Sequence, residues 1–248
     1  MNTSDFWKKP LNTFLNEIED YLSKQTGTQY AAFDADGTCW FNDVGREVYL
    51  HQCQNVYKGK WTWDDYARRE LENVEEALWW MAEINAGRRP SDVIRDAKDT
   101  MLARKSLSLI PSTKKLISFL KEKKVEVYIV TASVGWTIVP AASEIGIDPD
   151  HILGVETEVD KNGLITTNRH IPLTWTHGKA EAILKATNGR APMLCGGNSI
   201  SDIYLLDTSC QFKMGIRSVD PEESLFDREN ELLAVCKERG WVHFDYHV

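Results

Sequence analysis

Apolar positions along the chain switch between two periods, and the switches mark out alternating helices and strands. Leu11, Phe14, Leu15, Ile18 and Leu22 recur at helical spacing and predict an amphipathic helix. Tyr30-Ala-Ala-Phe33 is a short unbroken apolar run that meets acidic residues and a glycine, the pattern of a buried strand before a sharp turn. From about Asp43 to Ser108 the chain is rich in Glu, Arg, Ala and Trp and reads as helical throughout. Pro111 opens a helix over Ser112–Lys123, in the first-turn position that proline tolerates. Val125–Val130 predicts a second buried strand, and a helix around Gly135–Ile145 stops near Gly146. Ile152–Val159 and the stretch after Gly163 flank Asp160-Lys-Asn-Gly163 and predict a hairpin. Lys179–Ala186 reads as a helix closed by Asn188-Gly189, Pro192–Cys195 as a short strand, and Phe212–Ile216 as the last core strand.

Strands alternating with helices imply an α/β protein with a doubly wound, Rossmann-like parallel sheet and right-handed crossovers. The helical block interrupts that alternation after the first strand. Residues 41–108 are therefore expected to form an inserted helical cap on a core built from residues 1–40 and 109–248. Three polar clusters fall at the carboxyl ends of predicted strands, where open α/β sheets bind ligands. They are Asp34-Ala-Asp36-Gly-Thr38, Thr131-Ala-Ser133 and Gly196–Asp202.

The 248 residues, 42% apolar and 27% charged, suit a globular protein with one large core and a smaller appended unit. A net charge of −8 argues against a broad nucleic-acid surface, which needs clustered basic excess. No apolar stretch approaches the length of a membrane span. Met1–Pro10 lacks an apolar signal segment and the five cysteines form no C-x-x-C pair, so reduced thiols and a cytoplasmic location are expected. Cys39, next to the acidic motif, reads first as a small packing residue and second as a catalytic thiol.

Asp34 and Asp36 share one side of the strand by its period until the turn re-aims one of them. Burying two carboxylates together is costly unless a cation or a chemical task compensates, which makes them candidates for a metal-assisted active site. Thr131, at a strand–helix junction, suits both a helix N-cap and a ligand-holding hydroxyl. Lys179 follows a glycine at the start of a helix, and Asp202 either faces the same site or caps the helix after it.

Taken in order, these motifs resemble the haloacid dehalogenase superfamily, specifically its phosphatase branch with a helical cap, similar to phosphoserine and phosphocholine phosphatases. The resemblance spans Tyr30 to Ile216. It implies that Asp34 attacks phosphorus to form an aspartyl-phosphate, with Asp36 as general acid and then base. It further implies that Thr131, Ser133 and Lys179 hold the phosphoryl group. Mg²⁺ would be bound by the Asp34 side chain, the Asp36 backbone carbonyl, Asn198 and Asp202. An acid at position 36 favours phosphoryl transfer over carbon–halogen cleavage, because a halide needs no proton. Neutral Asn198 stands where the family usually has an aspartate, so weaker Mg²⁺ binding is expected, with Asp202 ligating directly.

The implied partner is a small phosphate ester. Asp43, nine positions after Asp34, matches an acid that faces a substrate amine in phosphoserine phosphatases, and Asp43 and Trp40 are the candidates for substrate specificity. Trp61, Trp63, Trp79 and Trp80 read chiefly as cap core and secondarily as a cage for a cation. Arg88, Arg89, Arg95 and Arg104 offer either a solvated face or a partner for a substrate carboxylate. His177 reads as structural, and no histidines have metal-ligand spacing. Asn198 also motivates a rival reading, a phospho-ligand-binding protein with degraded catalysis, and a phosphotransferase is a third.

Overall fold

Tyr30–Phe33 forms β1, a fully buried strand inside a six-stranded parallel sheet of order β3-β2-β1-β6-β7-β8. The structure, a computed structural model, describes residues 8–104, 107–220 and 225–246. The other sheet strands are β2 (Glu126–Val134), β3 (Ile152–Val155), β6 (Leu194–Gly197), β7 (Phe212–Arg217) and β8 (Val242–Asp245). Alternate residues feed two cores, as strand period requires. Ala31, Phe33, Val127, Ile129 and Leu194 pack in one core with α1 (Lys8–Leu22) and α6 (Pro111–Glu122). Tyr30, Ala32, Tyr128, Val130 and Cys195 pack in the other, with Ile183 of α8 (His177–Ala186) and Leu205 of α9 (Ile203–Thr208). Helices therefore cover both faces, the doubly wound arrangement expected. The chain runs outward from β1 through β2 to β3 and returns to β6 beside β1, which puts the switch point of the sheet between β1 and β6.

Four helices occupy the insertion after β1: α2 (Val44–Asn55), α3 (Trp63–Glu72), α4 (Val74–Glu83) and α5 (Pro90–Arg104). The two crossings into the insertion are tied together, with Phe41 N donating to Ser108 O at 2.8 Å and Ser108 N to Asn42 Oδ1 at 3.1 Å. The four helices also pack on the core, α5 against α7 (Gly135–Glu144).

Two expectations need correcting. Ile152–Val159 is not one arm of a hairpin: β3 joins the main sheet parallel to β2, and only β4 (Thr157–Val159) pairs with β5 (Ile165–Arg169). The hairpin leans on the helical insertion, where Gly87 N donates to Ile165 O and Ile165 N to Arg88 O, both at 2.8 Å. Residues 157–169 thus associate with the helical insertion although they follow β3. Second, Phe212–Ile216 is not the last strand. α10 (Phe226–Arg239) ends on left-handed Gly240 and leads into β8, an edge strand too short and polar to stand out as an apolar run. Among the described residues, no helix is long and apolar enough to cross a membrane.

Candidate active site

The carboxyl ends of β1, β2 and β6 open onto a cavity of about 220 Å³ closed on its far side by α2, α3 and α4. Asp34, Asp36, Thr131, Ser133, Lys179, Asn198, Asp202 and Asp43 all line it. Trp40 does not.

Asp34 and Asp36 face different partners. Asp34 continues β1, its N–H donating to Gly196 O of the neighbouring strand. Lys179, carried by the first turn of α8, donates from Nζ to Asp34 Oδ1 at 2.5 Å and to Asp202 Oδ1 at 2.6 Å. All three groups are buried, so this is a two-carboxylate, one-ammonium cluster out of water. Burial opposes the Lys179 charge, but the two carboxylates outweigh it and hold the ammonium well above its ordinary range. Burial raises Asp34 to about 7 against the pull of Lys179, with Asp202 and Asp36 adding repulsion.

Asp36 is re-aimed by the turn at Gly37. That glycine has φ +75°, and a Cβ there would overlap the Asn198 side-chain amide, so only glycine fits. Asp36 Oδ1 accepts from Trp40 Nε1 at 2.7 Å and from Val44 N at 2.8 Å, and Oδ2 accepts from Ser133 Oγ at 2.7 Å. Burial pushes Asp36 up to about 7, Asp43 adds repulsion, and the donors from Trp40, Ser133 and Val44 pull the other way.

Several expected roles shift. Trp40 is fully buried behind Asp36 and holds that carboxylate instead of meeting substrate. Ser133 lines the cavity, but its hydroxyl is committed to Asp36. Thr131 Oγ1 accepts from Ser133 N at 3.0 Å, which leaves its own proton free to donate. Asp202 is not an open ligand: Oδ1 takes Lys179, while Oδ2 takes the N–H groups of Asn198 and Ser199 at 3.2 and 3.1 Å. Asp43 N-caps α2, accepting from Arg46 N at 2.9 Å, and its other face opens to the cavity mouth. Cys39 is sealed in the core with its Sγ against Asp34 O, and burial pushes the thiol far above its ordinary range, so it is a packing residue. His177 stacks on Tyr204.

The tryptophans of the insertion offer no open cage, because each carries a cation of this chain over its ring. Arg46 lies 4.2 Å from the Trp63 centroid, Arg69 4.5 Å from Trp80, Lys60 4.8 Å from Trp61 and Arg169 5.4 Å from Trp79. Arg88, Arg89 and Arg95 do not line the cavity, Arg88 being paired with Asp96 at 2.6 Å; the Arg104 side chain lies outside the described residues. Instead Arg46 and Arg228 supply positive charge at the mouth beside Asp43 and Glu70. Sequence reading anticipated neither: Arg46 lies three residues after the N-cap that the structure reveals at Asp43, and Arg228 sits in α10 with no motif around it. Val74, Leu78 and Met81, spaced along one face of α4, give the mouth an apolar wall.

The residue that sequence reasoning missed most completely is Glu229, also in α10. It is fully buried and accepts from Asn198 Nδ2 at 2.8 Å, Ser218 N at 2.7 Å, Ser218 Oγ at 3.0 Å and Val219 N at 3.0 Å. Asn198 Oδ1 is thereby turned toward Asp34, sharing the Thr38 hydroxyl with Asp34 Oδ2 at 3.3 and 3.4 Å.

Residues 31–207 match the family model of the haloacid dehalogenase-like hydrolases. The chain belongs to that family. No curated protein shows significant sequence similarity to it. Among solved structures, a protein of unknown function from Bordetella pertussis Tohama I superposes with a TM-score of 0.71 at 18% identity, over 89% of this chain and 99% of its own. A functionally unknown protein from Anaerococcus prevotii DSM 20548 gives 0.64 at 15% identity, over 88% and 85%. A substrate-bound phosphoserine phosphatase complex gives 0.51 at 14% identity, over 85% and 99%. At such identities the likeness is one of fold.

Among the described residues, no group of three or more Asp, Glu, His or Cys is arranged to hold a metal ion. The residues lining the cavity there are mixed: the carboxylates of Asp34 and Asp36 and the amide of Asn198, with Asp34 Oδ2 and Asn198 Oδ1 sharing the Thr38 hydroxyl. Their charge still suits a divalent cation. Two buried carboxylates, Asp34 and Asp202, share the one ammonium of Lys179, which leaves an excess of negative charge. Hard oxygens with surplus negative charge fit Mg²⁺.

Proposed function

We propose that the chain is a Mg²⁺-dependent phosphomonoesterase that hydrolyses a small phosphorylated metabolite through an aspartyl-phosphate on Asp34. The observation that carries this reading is the unequal treatment of two adjacent buried carboxylates. Asp34 is paired with an ammonium, which favours an oriented anion and hence a nucleophile. Asp36 has no cation and is held instead by neutral donors from Trp40, Val44 and Ser133, which suits a group that gives and then takes a proton.

Asp34 would attack phosphorus through the carboxylate oxygen that does not hold the metal, while Asp36 protonates the departing alkoxide. Asp36 then removes a proton from the water that hydrolyses the acyl phosphate. Thr131 Oγ1, with its proton free, and Lys179 would hold phosphoryl oxygens. Asp34 Oδ2, the Asp36 carbonyl and Asn198 Oδ1 would bind Mg²⁺. When bound, the metal supplies the positive charge that lets an anion approach a phosphate monoester.

The cavity of about 220 Å³ suits a small leaving group, and the mixed charges at its mouth (Asp43, Glu70, Arg46, Arg228) suit one bearing both an amine and an acid. Likeness to a phosphoserine phosphatase supports the same direction. Phosphocholine is the weaker candidate, since the chain's own cations cover the tryptophan faces. Neutral Asn198 favours a second reading, a phospho-ligand-binding protein with degraded catalysis. Phosphate release from a panel of phosphate esters, with and without Mg²⁺, separates the two. Tight binding without turnover favours the second. Asp34→Asn is expected to abolish turnover of a generic aryl phosphate with the fold intact, and full activity in that variant would overturn the nucleophile assignment.

A further inference from the structure

Position 198 carries an amide, and the carboxylate nearest to it that belongs to no expected motif is Glu229. A carboxylate accepts hydrogen bonds only, so the atom of Asn198 facing Glu229 Oε1 at 2.8 Å is Nδ2, and Oδ1 necessarily faces Asp34 and the cavity. Three further donors, Ser218 N, Ser218 Oγ and Val219 N, fix Glu229 in place. Ser218 Oγ also approaches Gly37 O at 3.0 Å, and Gly37 is the residue on which the Asn198 amide packs. The acidic motif, Asn198 and α10 are thus joined in one buried network.

We propose that Glu229 is a positioning residue for the metal site, and that the negative charge absent from position 198 has been relocated to position 229. Glu229 locks the Asn198 amide with its oxygen toward the cation and, through the shared N–H, makes that oxygen a stronger donor. The proposal rests on the Mg²⁺-dependent reading above. It also predicts that positions 198 and 229 are coupled: an aspartate at 198 would confront Glu229 across the distance now bridged by a hydrogen bond, and becomes acceptable only when the charge at 229 is removed.

The test compares the full-length wild type with Asn198→Asp, Glu229→Gln and the double variant, measuring Mg²⁺ affinity by calorimetric titration with Mg²⁺ alone and thermal midpoints in EDTA. Asn198→Asp alone is expected to lower the midpoint and to gain no affinity for Mg²⁺. Glu229→Gln alone is expected to weaken Mg²⁺ binding at least tenfold. The double variant is expected to regain the midpoint of the wild type and to bind Mg²⁺ at least as tightly. Strictly additive effects on both readouts, or an Asn198→Asp variant that binds more tightly at an unchanged midpoint, would overturn the relocation while leaving the phosphatase reading standing. A wild type that binds no Mg²⁺ would overturn the metal reading itself, and this proposal with it.

Discussion

Replacing Lys179 with methionine keeps the volume of the side chain and deletes its charge. In the folded protein the ammonium sits between Asp34 Oδ1 and Asp202 Oδ1, at 2.5 and 2.6 Å, with all three groups buried. Without it the two oxygens lie at most about 5 Å apart. Two like charges at that separation repel by about 3 kcal/mol at an effective dielectric of about 20. That agrees with the roughly 3–5 kcal/mol typical when one member of a buried ion pair is removed. The variant can escape by protonating a carboxylate, and the sign follows from linkage. A carboxylate whose folded pKa is raised contributes stability at low pH that is lost as pH rises through the raised value. Lys179→Met is therefore expected to lose about 3–5 kcal/mol at pH 8 and less than half of that at pH 5.5. Guanidinium denaturation in EDTA, followed by tryptophan fluorescence at the two pH values, measures both. A loss below about 1 kcal/mol, or one independent of pH, would refute the view that Lys179 neutralises a buried carboxylate pair.

Ser133→Ala removes one of the donors to Asp36, which disfavours the anion; the basic limb of the pH–rate profile is expected to move up by about one pH unit. An unmoved limb would show that Asp36 is not the acid being titrated. Glu156, in the link between β3 and β4, is raised to about 7 by burial, so its contribution to stability is present below its ordinary pKa and lost as pH rises through about 7. Glu156→Gln is expected to remove up to about 3 kcal/mol of that dependence, seen as thermal midpoints that separate progressively from wild type as pH rises from about 4.5 to about 7 and stay apart by a constant amount above it. Parallel midpoint curves for the two proteins would exclude the effect.

What the sequence reveals is what local pattern decides. β1 and β2 are legible because the short, β-prone apolar runs Tyr30–Phe33 and Val127–Val130 are bounded by turn signals or polar residues, and α6 because Pro111 sits where a helix accepts it. The acidic motif, Thr131 and Lys179 follow from those elements, since each lies at the end of one. Roles set by tertiary contact were not legible. Nothing near Trp40 says that its ring nitrogen will reach back to Asp36, and nothing near Glu229 ties it to Asn198, 31 positions earlier. The cap arginines and tryptophans were visible as two separate groups, but only the fold stacks Arg69 on Trp80 and Arg169 on Trp79. β8 escaped notice because an edge strand need not be apolar on both faces.

The helical insertion divides its contacts between helices. α2 is bound into the chemistry: Val44 N donates to Asp36, and a side chain at Gly45 would strike the Ser133 hydroxyl. α4 touches the cavity only through Val74, Leu78 and Met81, none of which contacts a reacting carboxylate by hydrogen bond. Fit and reactivity can therefore be altered independently. Under the proposed phosphatase reading, a library aimed at a different leaving group would redraw those three positions and leave residues 43–45 alone, because varying both helices would also displace the Asp36 carboxylate.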